Sequence, residues 1–186
     1  MAVFSEESRL LIEHWNTVEE IFEAEKRLRM EINSILLSVK PEIAGQEWWQ
    51  TGWKFVEHGE SQVYISNRNW QVDDDYVVWI GIENFNPEAV FGMEAPSSLY
   101  VWVSGKRNDL AQMLTDKIQQ IDAELLGELD NRQSGYVVRQ AVKKYLLGET
   151  EHYGDAVKEQ IMNFFVHYAK VVWKLDSEIR RYLKKK

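Results

Sequence analysis

Carboxylates are the one reactive class that this chain holds in density. Asp73-Asp74-Asp75 leads into an apolar run that ends at Glu83. Asp and Glu on neighbouring β-elements can hold Mg²⁺ through oxygen ligands, the arrangement that activates water against a phosphodiester. Asp73, Asp75 and Glu83 are therefore the candidate metal ligands. The competing reading is a polar turn before a buried strand, since only alternate side chains of an extended run share a face. The four histidines, His14, His58, His152 and His167, form neither a His-Glu-x-x-His nor a His-x-His pair. Three of them follow a glutamate (Glu13, Glu57 and Glu151), but sequence neighbours diverge by about 100° on a helix and face opposite sides of a strand. With no Cys in the sequence, thiolate nucleophiles, disulfide frameworks, iron–sulfur clusters and Cys-based zinc sites are excluded. Gly-x-Ser-x-Gly elbows, phosphate-binding Gly-Lys-Ser/Thr loops and dinucleotide fingerprints are also missing.

The aromatic content points to binding instead. Trp, Tyr and Phe number 8, 8 and 7, and together make 12% of the chain. Trp48, Trp49, Trp53 and Trp70 fall close to turns. An indole left exposed beside acids anchors a partner carrying Lys or Arg by apolar burial and cation–π attraction. These four are the candidate partner-binding residues, and core filling is the competing use. Trp48-Trp49 stands first among them, because adjacent residues in extended backbone face opposite ways. Residues 1–44 carry five basic and nine acidic residues, 45–105 two and nine, and 106–186 fifteen and twelve. A basic patch of Arg132, Arg139, Lys143 and Lys144, with Tyr136 and Tyr145 for stacking, is the one nucleic-acid candidate. The net charge of −8 and the acidic middle argue against it, because such binding rests on neutralising phosphate.

These residues need elements to hold them. Ser5 ahead of Glu6 and Glu7 predicts a capped helix over 5–39, with one stripe through Leu11, Trp15, Val18, Phe22, Leu28, Ile32, Ile35, Leu36 and Val39. Pro41 predicts its end near residue 40. Runs at 53–57, 62–67, 76–82 and 99–103 read as strands, with His58-Gly59-Glu60 as a hairpin connection. The last two barely alternate, which predicts central strands covered on both faces. A helix follows over 108–126, and residues 135–142 are open between strand and helix, with strand preferred. The last helix carries Val157, Ile161, Phe164, Tyr168, Val171, Leu175, Ile179 and Tyr182 in alternating steps of four and three, a heptad-like seam. The core is expected to centre on Trp79, Ile80, Val101, Trp102, Phe164 and Trp173.

The phrases Trp53-Lys54-Phe55, Trp79-Ile80-Gly81-Ile82-Glu83-Asn84-Phe85 and Phe91-Gly92, with the order of long helix, Trp-rich strands and terminal helix, resemble domains associated with the PD-(D/E)xK, restriction-endonuclease-like superfamily. That resemblance, over about residues 50–182, implies metal-binding acids and a Glu-x-Lys or Asp-x-Lys lysine that orients water. No Asp or Glu in this chain has Lys two positions on. The resemblance therefore implies a relaxed or inactive member, and no catalytic residue is carried across.

The sequence thus predicts a single α+β domain over 1–186. It comprises an N-terminal helix (1–44), an acidic Trp-rich antiparallel sheet of four to five strands (45–105) and a helical C-terminal part (106–186). The long first and last helices are expected to pack together. The expected function is a non-enzymatic interaction or regulatory module without a cofactor, and the alternative is a degenerate metal-dependent nuclease or phosphodiesterase that uses Mg²⁺. A protein partner or a homo-oligomer is expected, with no membrane span and a cytoplasmic location.

Overall fold

Ser5 caps the first helix by accepting the Ser8 N–H at 3.2 Å. This computed structural model describes residues 5–56, 59, 61–92, 95–105, 107–129, 135–145 and 152–184. α1 (Glu6–Glu13) and α2 (Trp15–Ala44) meet at His14. Helical hydrogen bonds cross that junction, from His14 N–H to the Leu10 carbonyl at 3.1 Å and from Val18 N–H to the His14 carbonyl at 3.0 Å. α2 runs through Pro41, beyond the end expected for it. Proline deprives only the Leu37 carbonyl of its helical donor, and Leu37 is exposed to water. Burial of Ile43 one turn later offsets the cost.

The strands are β1 (Trp53–Val56), β2 (Val63–Asn67), β5 (Val78–Glu83), β6 (Ser98–Val103), β7 (Glu128–Leu129) and β8 (Tyr136–Ala141). They form one antiparallel sheet in the order β1-β2-β5-β6-β8-β7. The segment left open at 135–142 is a strand, and with two-residue β7 it raises the sheet to six. β1 and β2 pair as a hairpin, although His58 and Glu60 of the expected connection lie outside the described residues. Asp73 and Asp74 both adopt left-handed backbone, φ 50° and 68°. They form the tight turn of a separate hairpin between β3 (Gln71–Val72) and β4 (Asp75–Tyr76).

Register divides the side chains between two faces. Phe55, Ile65, Ile80 and Val101 oppose one another across β1, β2, β5 and β6, and Val138 continues the row on β8. Against this face pack α4 (Asn108–Ile121) and α5 (Tyr153–Trp173), with α2 lying on α5. Ile35 touches Gly154 and Glu42 pairs with Lys158, so α2 and α5 advance in the same sense. Ile80, Val101 and Phe164 are fully buried, as expected for the core. Trp79 and Trp102 are not at its centre: they are half-buried on the opposite face, and Trp173 is half-buried too. Neighbours on a strand point to opposite faces, so Trp79 and Ile80 could not both turn to the helices.

Two helices end early. α4 stops at Ile121, because Asp122 is extended and its side chain is held elsewhere. The seam expected over one terminal helix is divided between α5 and α6 (Asp176–Leu183) by a break at Lys174 and Leu175. Asp176 begins α6 and accepts the Trp70 indole N–H at 2.9 Å. A short α3 (Pro87–Val90) is capped by Asn86. Among the described residues, no helix is long and apolar enough to cross a membrane.

On the face away from the helices, Gly81 lies opposite Tyr64 on one side and Tyr100 on the other. A Cβ at Gly81 would sit 2.3 Å from Tyr64 Cδ1 and 3.2 Å from the Tyr100 hydroxyl. Both rings are buried, at 6% and 4% exposure, because they lie over this missing side chain. Changing Gly81→Ala should therefore destabilise the fold by about 1–3 kcal/mol through overpacking. Urea melts read this directly, and a loss below about 0.5 kcal/mol would show that the rings do not lie over Gly81.

Candidate functional site

The sequence-predicted tryptophans come together as one interlocked group. Trp48 and Trp49 sit on a 3₁₀ turn (Glu47–Thr51) just before β1. Trp48 meets Trp49 edge-on at 5.9 Å between centroids and Trp53 at 5.3 Å. Trp53 in turn meets Trp70 at 5.1 Å, and Trp173 of α5 lies 6.4 Å from both. Trp53 and Trp70 are enclosed within the chain, whereas Trp48 and Trp49 are half-buried at the rim. Of the four, the rim pair alone presents ring surface outward. The indole N–H groups of Trp48 and Trp53 are buried without an acceptor among the described residues. Such orphaned donors are uncommon, and ring packing is what holds them there.

The three candidate ligands do not converge. Asp73 is exposed in the β3–β4 turn and Asp75 exposed on β4. Glu83 stands at the far end of β5, about 26 Å of extended chain away from Asp75. Its carboxylate accepts the Tyr136 hydroxyl, 3.1 Å from each oxygen, and Arg139 at 3.2 Å. Among the described residues, no group of three or more His, Cys, Asp or Glu could hold a metal ion.

Glu83, Tyr136 and Arg139 belong to an aromatic layer on the sheet face opposite the helices. One row crosses Trp79, Trp102 and Tyr136, and the next crosses Tyr64, Gly81, Tyr100 and Arg139. Trp79 and Trp102 stack edge-on at 5.1 Å, and the Arg139 guanidinium lies 4.5 Å from the Tyr136 ring centroid. The rings of Tyr64 and Tyr100 lie 5.9 Å apart between centroids, and the Tyr64 hydroxyl donates to Gln62 at 2.6 Å. Burial first, and the Glu83 charge second, push the Tyr136 phenol up to about 12. Burial raises Tyr64 and Tyr100 as well. Sequence reading singled out Arg139 and Tyr136 for phosphate and stacking. The structure instead turns both to Glu83, which only cross-strand register could reveal.

A second cluster went unread. Asp122, with a side chain 2% exposed, receives His167 Nε2 at 2.9 and 3.0 Å. The Tyr168 hydroxyl accepts the Leu126 N–H at 3.2 Å, and burial with the Asp122 charge beside it raises its pKa. Together they tie the segment after α4 to α5 beside a groove of about 620 Å³ edged by Lys170 and Lys174. The two halves are 45 residues apart, so no spacing motif could signal them.

A further exposed feature is apolar. α1 buries no residue, and α2 buries none before Ile32. Leu10, Leu11, Ile12, Trp15, Ile21, Phe22 and Met30 are all exposed on this arm, with Trp15 at 54% and Phe22 at 61%. The stripe was legible in the sequence, but where its cover stops was not. No family model matches this chain, and neither does any curated protein or solved structure.

The raised tyrosines fix the alkaline behaviour. Between pH 10 and 12 the folded chain keeps the Tyr136 proton that an unfolded tyrosine loses, so the folded state binds more protons. Its contribution is complete below pH 10 and is lost as pH rises through 12. Urea midpoints followed from pH 9 to 12 should fall, and Tyr136→Phe should make the fall shallower. An equal slope in the variant would show that Glu83 and burial do not hold that proton.

Proposed function

We propose that this chain is a non-enzymatic interaction module of the cytoplasm, working through the apolar stripe on its N-terminal helical arm. The carrying observation is that the core stripe of α2 continues in phase beyond the body. Val18, Ile21 and Phe22 lie at helical spacing from buried Ile32, Leu36, Val39 and Ile43, whereas packing against the core begins only at Leu28. In proteins most helical stability comes from packing of an amphipathic face, and an apolar patch of several hundred Å² on a monomer marks an interaction site. A second helix of matching repeat is the occupant that fits such a convex, periodic surface. The half-buried Trp48 and Trp49 at the other end of α2 add apolar surface that a larger partner could reach.

Placement of a photo-reactive residue tests the reading. A benzophenone side chain at Phe22, on the stripe, should cross-link to protein in cells. The same group at Glu20, on the charged side, should not. Equal labelling at both positions, or none at Phe22, would remove the support for a specific docking face. The scattered positions of Asp73, Asp75 and Glu83 lead to a second expectation. Calorimetric titration with Mg²⁺ or Mn²⁺ should give no heat that Glu83→Gln abolishes, and a Glu83-dependent heat would revive the metal-dependent alternative.

A further inference from the structure

Two sets of residues on the first helices recur every seven positions. Leu11, Val18, Glu25, Ile32 and Val39 form one, and Trp15, Phe22, Arg29, Leu36 and Ile43 follow each of them by four. This is a coiled-coil seam of five layers. The two C-terminal layers, Ile32/Leu36 and Val39/Ile43, are buried in the body. The middle layer is an ion pair, Glu25 with Arg29, and Arg29 also bridges to Glu88 at α3. The two N-terminal layers, Leu11/Trp15 and Val18/Phe22, lie on the arm, with Leu11, Trp15 and Phe22 exposed.

We infer that a second copy of this chain covers these two layers, arm against arm and antiparallel, about a two-fold axis between Asn16 and Thr17. This deepens, and rests on, the reading of the arm as a docking face. Seating the layers fixes the register. Trp15 packs against the partner's Val18, and Leu11 packs against the partner's Phe22. Each layer then pairs a larger with a smaller side chain, as dense packing requires. Glu6, Glu13 and Glu20, also seven apart, project from the side opposite the seam, so the arm's acidic charge is not set face to face. Glu25 falls opposite the partner's Ser8.

A parallel pair fails on the same residues. It would stack Glu25 on the partner's Glu25 and Arg29 on the partner's Arg29, and bring both bodies to one end. The antiparallel pair sets the bodies about 23 Å either side of the axis, at 1.5 Å per residue. It closes after two copies, as an isologous contact must. Leu11, Ile12, Trp15, Val18, Ile21 and Phe22 contribute on the order of 100 Å² each, so the pair buries about 1,200 Å² in total, the lower end of stable interfaces. The dimer should therefore dissociate on dilution.

Sedimentation equilibrium of the full chain tests the inference. The expected mass approaches twice 21.9 kDa at high concentration and falls toward 21.9 kDa on dilution. Phe22→Glu should weaken the dimer at least about 100-fold. Phe22 is exposed in the monomer and lies outside its core, so far-UV circular dichroism of a dilute sample should be unchanged. The chain has no Cys, which allows a register test by oxidation. A mixture of Ser8→Cys and Glu25→Cys copies should give a disulfide-linked heterodimer, with neither variant linking to itself. A mass of 21.9 kDa at every concentration would overturn self-pairing. A Glu25→Cys self-link would overturn the antiparallel register. If the chain is monomeric while a benzophenone at Phe22 still captures a different protein, self-pairing fails and the docking-face reading stands. If that label captures no protein either, both fail.

Discussion

A sheet can cover only as much helix as its strands are long. β5 and β6 have six residues each, about 20 Å of strand. α2 has 30 residues, about 45 Å of helix. The fully buried stretch of α2 runs from Ile32 to Ile43, about 18 Å, which matches the strands, and packing against the core extends back only to Leu28. Neither helix propensity nor the sheet could remedy this mismatch. The excess length keeps the apolar spacing of the buried part, so the arm carries an apolar stripe that its own body does not cover.

The opposite edge of the body is closed by rings. Trp48, Trp49, Trp53, Trp70 and Trp173 bring together the turn before β1, β1 itself, the turn after β2 and the end of α5. One directional contact pins this otherwise non-directional packing: the Trp70 indole donates to Asp176, whose carboxylate also takes Arg180 at 2.8 Å. A buried carboxylate is costly unless bonded in this way. The first residue of α6 therefore has to sit beside Trp70, and the terminal helix breaks at Leu175 instead of running straight. On the second sheet face, Gly81 plays the complementary part by leaving the space into which Tyr64 and Tyr100 lie flat.

What the sequence made legible followed from short-range periodicity. The α+β class and the antiparallel pairing followed from the segregated order of helical and strand runs, and both long helices from steps of three and four; residues 135–142 were open between strand and helix, with strand preferred. What it concealed depended on partners distant along the chain. Adjacent large residues such as Trp79 and Ile80 both looked like core until register assigned them to opposite faces. Asp73-Asp74-Asp75 could be read as ligands beside Glu83 or as a polar turn, and two left-handed residues make it a hairpin turn. The break before Asp176 required knowledge of Trp70, more than 100 residues earlier. Asp122 and His167 carry no local signature at all. For the candidate site, residue types were readable and their company was not.

The ion pair Glu25–Arg29 shows how local sequence and global architecture meet. In the heptad pattern it reads as an interruption, two charges where four other layers have apolar residues. In the fold it falls where α2 leaves the body, and Arg29 spans from the helix to Glu88 beside the sheet. Charges there can stay hydrated, whereas one layer further along they would need burial beside Ile32 and Leu36. The same pair divides the seam into two parts that cannot slide into each other's place, because a shift of one heptad would bring an ion pair into an apolar layer. The C-terminal layers, which α5 covers, are thereby kept apart in register from the exposed N-terminal layers. The interruption falls where the part of the helix that belongs to the fold gives way to the part that does not.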